Sequence, residues 1–188
     1  MTNTSATGGY LTPDASVMPA EDADLEDIFQ AMVVGLTGLP GAMVRPSWPD
    51  TIPKQPEPNV NWCGLAVSVS DAPQQPSFKH DPTAFGGAGG DIMTQQEQIT
   101  LLCSFYGPNS RKFATMVRDG VKLNQNNGML QQGYSIGLQS AGQIVSLPEL
   151  VNQQWVRRSD LTLIFNRSTT RLYPVNTLID APVAVQLG

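Results

Sequence analysis

The sequence predicts an α+β fold: a mostly antiparallel sheet with two principal helices packed on it, plus extended N- and C-terminal arms. Three observations carry that expectation. Leu25, Ile28, Phe29, Met32, Val33 and Leu36 recur at helical spacing on one face. Apolar residues alternate with small or polar ones over 62–70, 94–106 and 155–166, which is the period of a strand. The order is helix, strand, strand, helix, then strands, and antiparallel pairing of neighbours is the less demanding topology for such a series. The implied boundaries are an arm over 1–20, one domain over 21–175 with long loops at 37–59 and 71–93, and an arm over 176–188.

The first twenty residues have no helical or strand period and hold Gly8-Gly9, Pro13 and Pro19. Glu21, Asp22, Asp24, Glu26 and Asp27 then crowd a helix start, where carboxylates complement the helix dipole. Gly35, Gly38 and Leu39-Pro40-Gly41 end that helix. Five prolines between Arg45 and Pro58 predict an extended linker. In the first strand Cys63, Leu65, Val67 and Val69 alternate with Gly64, Ala66 and Ser68. Residues 71–91 read as a loop without regular elements, ordered only by contact with a neighbour, because Phe78 and Phe85 are apolar in a polar stretch.

In the second strand Ile99, Leu101, Cys103 and Phe105 share a face. A helix follows, capped by Asn109 or Ser110, striped by Phe113, Met116 and Val117 and closed by Gly120. A short helix is expected over 124–132, with short strands over 134–138 and 143–147. A long strand over 155–166 places Trp155, Leu161, Leu163 and Phe165 together, and 171–175 forms a last strand. Leu25, Phe29, Met32 and Val33 of the first helix are expected to pack on the sheet face carrying Leu101 and Cys103 or that carrying Leu161 and Leu163.

Composition narrows the function. Charged residues are 14% of the chain, against about 25% in ordinary globular proteins. Interfaces are depleted in Lys, Glu and Asp, so a surface this neutral suits burial in an assembly. The net charge of −5 and eleven scattered basic residues argue against a dedicated nucleic-acid binder. Cys63 and Cys103 lie in apolar runs and read as buried free thiols. No secretion signal and no membrane-length apolar run is visible, which implies synthesis in a reducing cytoplasm.

Chemistry finds little support. His80 is the only histidine and reads as an exposed loop residue, so zinc or a nucleophile–base pair has little to draw on. The acidic run 21–27 lacks the glycine and oxygen spacing of a calcium loop. Gly86 to Gly90 lacks the Lys-Ser/Thr of a phosphate loop. Ser5, Ser16 and Ser135 have no nucleophile-elbow context. No catalytic residue, metal or cofactor is expected, and a triad at hydrogen-bond distance would overturn that. Arg157, Arg158 and Asp160 read as a solvated face or cross-strand ion pairs, and alternatively as an intersubunit contact.

Four stretches together resemble the neck or tail-terminator proteins of tailed bacteriophages. They are residues 5–11 (SATGGYL), 36–58 (LTGLPGAMVRPSWPDTIPKQPEP), 101–120 (LLCSFYGPNSRKFATMVRDG) and 146–163 (SLPELVNQQWVRRSDLTL). The resemblance implies a structural subunit of a ring, expected as a hexamer, that closes the head-proximal end of a tail. It implies contact with tail tube or sheath proteins and with the head connector, and passage of double-stranded DNA through the ring without specific binding. The place is the virion, after assembly in the host cytoplasm. Expected interface residues are Tyr10, Leu11, Phe78, Phe85, Arg157, Arg158, Asp160, Leu178, Ile179, Val183, Val185 and Leu187. The C-terminal arm either lies along an adjacent subunit or folds over its own sheet, and the resemblance favours the neighbour. Alternatives are a head-completion adaptor, a minor tail tube protein, or a carbohydrate-binding tail module with Trp48, Trp62 and Trp155 as stacking residues.

Overall fold

The structure, a computed structural model, describes residues 3–48, 54–71, 74–151 and 153–178. Ile179, Val183, Val185 and Leu187 therefore lie outside the described residues. The chain divides into two compact units, one of Met1–Pro19, Gln74–Gln95 and Thr169–Gly188, the other of Ala20–Pro73 and Gln96–Ser168.

The larger unit begins with helix α1 (Asp22–Thr37). Gly38 ends it in the left-handed region at φ 72°, donating its N–H to Val34. Strands β1 (Val44–Pro46), β2 (Trp62–Asp71), β4 (Gly90–Tyr106), β8 (Arg158–Tyr173) and β5 (Ile136–Ser146) form a sheet in the order β1-β2-β4-β8-β5. The pairs β2–β4 and β5–β8 are antiparallel, and β1 runs parallel to β2. Helices α3 (Ser110–Gly120) and α4 (Asn124–Tyr134) join β4 to β5. The fold class is the expected one.

One face of the sheet is sealed. Cys63, Leu65, Ile99, Leu101, Cys103, Phe105, Leu161, Leu163 and Phe165 meet Leu25, Ile28, Phe29 and Val33 of α1 and Ala114 and Val117 of α3. The rings of Phe29 and Phe165 lie 5.1 Å apart, tilted by 46°. The first helix thus packs where its spacing predicted. Cys63 and Cys103 are free and buried, and burial, then the neighbouring Cys103, pushes the Cys63 thiol well up.

Several expectations need correction. The 37–59 segment is not all loop: β1 occupies Val44–Pro46, at the sheet edge where a proline's missing N–H is tolerated. Gly120 lies inside α3 and the chain stays right-handed at Val121. Its role is packing, since a Cβ there would meet Leu36 at 2.9 Å. Met116 faces solvent, whereas Val117 is buried and Phe113 packs against the core as expected, joined by Ser110 and Ala114. The two short strands near 134–147 are one strand, β5, with register shifts at Leu138/Ser140 and Ala141/Ile144. Bulges absorb the residues that broke the pattern. The strands expected over 155–166 and 171–175 are the single strand β8. Trp155 belongs to a separate hairpin, β6 (Glu149–Val151) with β7 (Gln154–Val156), and is 72% exposed.

In the smaller unit the 71–93 segment is corrected too. Strand β3 (Ser77–Asp81) pairs antiparallel with the start of β4. Pro76 and Pro82 bracket this strand without interrupting it, so the order of Phe78 comes from its own chain. Between β3 and β4 the short turn α2 (Ala84–Gly87) uses positive φ at Phe85, Gly86 and Gly87. The N-terminal residues are tied to the end of β8 and to residues 174–176. Asp14 N–H bonds Leu172 O, Ser5 N–H bonds Pro174 O, and Asn176 N–H bonds Ser5 Oγ.

Candidate assembly surface

The sheet face opposite the core carries the even-numbered residues of β2, β4 and β8. Trp62, Ala66, Leu102, Tyr106, Arg158 and Asp160 are half-buried, and Ser68, Ser70, Thr162 and Asn166 are exposed. Alternation puts them there: each is the neighbour of a core residue, and a strand sends neighbours to opposite faces. Trp62 stacks on Tyr106 with centroids 4.2 Å apart and planes within 6°. Arg158 also lies over the Tyr106 ring, 5.5 Å from its centroid. Its guanidinium bonds both Asp160 oxygens at 2.8 and 2.9 Å and reaches Glu149 at 3.2 Å. The Asp160 hydrogen bonds hold the Arg158 pKa above its ordinary value, and burial raises that of Tyr106. A cleft of about 510 Å³ opens here, bordered by Arg45, Trp48 and Gln55 as well. Trp62 has one ring face covered by Tyr106, which weakens it as a sugar-stacking platform.

Arg158 and Asp160 are thus brought together along one strand, two positions apart, and not across strands, while Arg157 is exposed and donates to Pro108 O at 3.5 Å. Tyr10, Leu11, Phe78, Phe85 and Leu178 all belong to the smaller unit. Tyr10 is 95% and Leu178 79% exposed, and Phe78 and Phe85 also face solvent. Leu11 is half-buried.

His80, expected as an exposed loop residue, is exposed but belongs to β3 and has two partners. Its Nδ1 lies 2.7 Å from Asp91 Oδ1 and its Nε2 2.9 Å from Thr177 Oγ1. A hydroxyl, an imidazole and a carboxylate at hydrogen-bond distance meet the condition named above for overturning the expectation of no catalytic residue, so that expectation no longer stands on the sequence reading. Two backbone groups beside the hydroxyl are already used: Asn176 N–H donates to Ser5 Oγ, and Thr177 N–H donates to Ala88 O at 2.8 Å. Neither can hold a developing oxyanion. A Cβ at Gly89 would collide with Thr177 Oγ1 and N. The arrangement clamps 175–177 against the β3–β4 turn.

Sequence reasoning missed two further features. Arg167, 3% exposed, bonds Glu97 at 2.6 and 2.9 Å, Glu21 at 3.2 Å and the Ala20 carbonyl. Seventy positions separate Arg167 from Glu97, so no local pattern could pair them. The other is a set of exposed apolar side chains. Leu147, Leu150 and Trp155 stand on or beside the β6–β7 hairpin. An apolar groove of about 340 Å³ runs between α1 and α4, lined by Ile28, Met32, Leu36, Met129, Leu130 and Tyr134. An exposed Trp beside a Leu in a two-stranded hairpin was the available signal.

Among the described residues no group of three or more His, Cys, Asp or Glu is placed to hold a metal ion. No described helix is long and apolar enough to cross a membrane. No curated protein matches the chain. A sequence model of a family described as phage neck terminator protein matches residues 23–188.

Proposed function

The chain belongs to the phage neck terminator protein family, and from that premise we propose that its copies form a ring, a hexamer, at the head-proximal end of the tail. The chain is a structural protein of the virion neck. In this reading the ring ends the tail tube, meets the head connector on its other side and lets double-stranded DNA pass without specific contacts. It assembles in the host cytoplasm and carries no catalysis. The observation that carries the reading is the family match, which covers all but the first 22 residues. The physical support is a neutral, partly apolar surface with 14% charged residues.

Residues 179–188, with Ile179, Val183, Val185 and Leu187, act in this proposal as an arm along an adjacent copy. Leu178 leaves the clamp made by His80, Ala88 and Ser5 exposed to solvent, so the root of the arm is held. Tyr10, Phe78 and Phe85 supply further contacts of the smaller unit.

Native mass spectrometry tests the ring, with a six-fold species expected at micromolar concentration or on addition of tail tubes. Electron microscopy of virions carrying a tagged chain should place the tag at the neck; a tag at the distal tip would overturn the reading in favour of a receptor-binding module. Cutting the chain after Leu178 should abolish assembly at an unchanged unfolding midpoint. A large loss of stability in the isolated subunit would instead make 179–188 part of its own fold. Incubation with ester and peptide substrates should show no turnover that His80→Ala removes.

A further inference from the structure

We propose that the β6–β7 hairpin of one copy docks through Leu150 and Trp155 into the groove between α1 and α4 of a second copy. This contact links successive subunits. It rests on the ring reading above and names the surfaces that close the ring.

Leu150 and Trp155 are direct partners across the hairpin, so their side chains share one face. They are 57% and 72% exposed. A free monomer gains nothing from such a pair, and Trp is the residue most often found as an interface anchor. The hairpin is also held in place. An isolated two-stranded hairpin is marginal in water, but here Leu147 N–H bonds Arg158 O at 3.0 Å and the Glu149 carboxylate meets Arg158 at 3.2 Å. Arg158 is itself fixed by Asp160. The base of the hairpin is therefore tied to β8, which limits the backbone ordering that docking would require.

The groove is its complement. None of its lining residues is charged. Met129 and Tyr134 stand exposed at its rim. Ala31 and Gly35 keep its floor low, and nothing lies within 4 Å of where a Gly35 Cβ would be. Methionine side chains adapt to an incoming ring. The knob carries no unpaired charge either, because Glu149 is matched by Arg158. Knob and groove are different patches of one chain, so their contact is head-to-tail, and head-to-tail contacts generate rings when the rotation closes.

The test uses the full chain. Gly35→Phe fills the groove from open space, and Trp155→Ala removes the anchor from solvent, so neither variant should lower the melting midpoint. Each should lower the ring fraction at fixed concentration by on the order of tenfold. In parallel, Leu150→Cys subunits with one tag are mixed with Met129→Cys subunits with another and oxidised. Cys63 and Cys103 are buried and stay out of the reaction. A disulfide joining the two tags is expected. Rings that persist in both variants overturn the docking and leave the ring reading intact. Links formed only between two Leu150→Cys subunits overturn it too, in favour of a hairpin-to-hairpin pair. Normal rings that fail to join tails would assign the groove to a different partner and end the proposal. A wild-type chain that stays a single subunit with every partner removes the ring reading and this contact together.

Discussion

Arg158 and Arg167 of strand β8 point to opposite sides of the sheet, and the two side chains behave differently. Arg167 points into the helix-covered face, 3% exposed, where Glu97, Glu21 and the Ala20 carbonyl take up its donors. Arg158 points to the open face, pairs with Asp160 and Glu149 and lies over Tyr106. The first fixes the start of α1 to two strands. The second organises a surface that other molecules can reach. A buried ion is tolerated only with its partners in place, whereas a surface ion pair exchanges one solvated state for another. The sealed face therefore carries the stability of the subunit, and the open face leaves its polar and aromatic groups within reach of solvent.

The comparison is most exposed to failure at Phe29, beneath the first helix. Phe29→Ala should cost about 3–5 kcal/mol in denaturant unfolding. A loss under about 0.5 kcal/mol would mean that this face is not the core. Arg167→Met should cost about 3–5 kcal/mol by leaving the Glu97 charge buried without its cation. Adding Glu97→Gln should then recover part of the loss, and a further equal loss would show that the pair does not act as a unit. On the open face, Arg158→Ala should cost about 1 kcal/mol or less in the same assay. A cost as large as that of Arg167 would erase the distinction between the faces.

Smaller effects sharpen the picture. Thr177→Val removes one hydrogen bond of the His80 clamp and should cost about 0.5–1.5 kcal/mol, with hydrogen exchange rising at Ser77–Asp81. Those amides should be protected in the free subunit, because β3 pairs within the chain. Smallest of all, Trp155→Ala should move the unfolding free energy by less than about 0.5 kcal/mol, since the side chain is mostly in solvent.

Much of the sealed face is legible in the amino-acid sequence alone. The helix from 22 to 37 follows from apolar spacing and an acidic start, and Gly38 stops it as its lack of a Cβ allows. Ile99, Leu101, Cys103 and Phe105 alternate into the core as their period of two requires. The same period failed at Trp155, because alternation says which residues share a face but not where a strand begins. The break at Arg157 starts a new strand and leaves Trp155 on a hairpin outside the main sheet. The density of prolines over 73–82 suggested a loop, yet a five-residue strand fits between Pro76 and Pro82.

By itself the sequence determined the α+β class, the core-facing residues of α1, β2 and β4, and the neutral surface, since each depends on residues a few positions apart or on composition alone. Tertiary structure decided the rest. It joined Arg167 to Glu97 and, across ninety-seven positions, His80 to Thr177. It also left Leu150, Trp155 and the α1–α4 groove uncovered. Such pairings depend on which strands and helices come side by side, and local periodicity carries no information about neighbours so far apart along the chain.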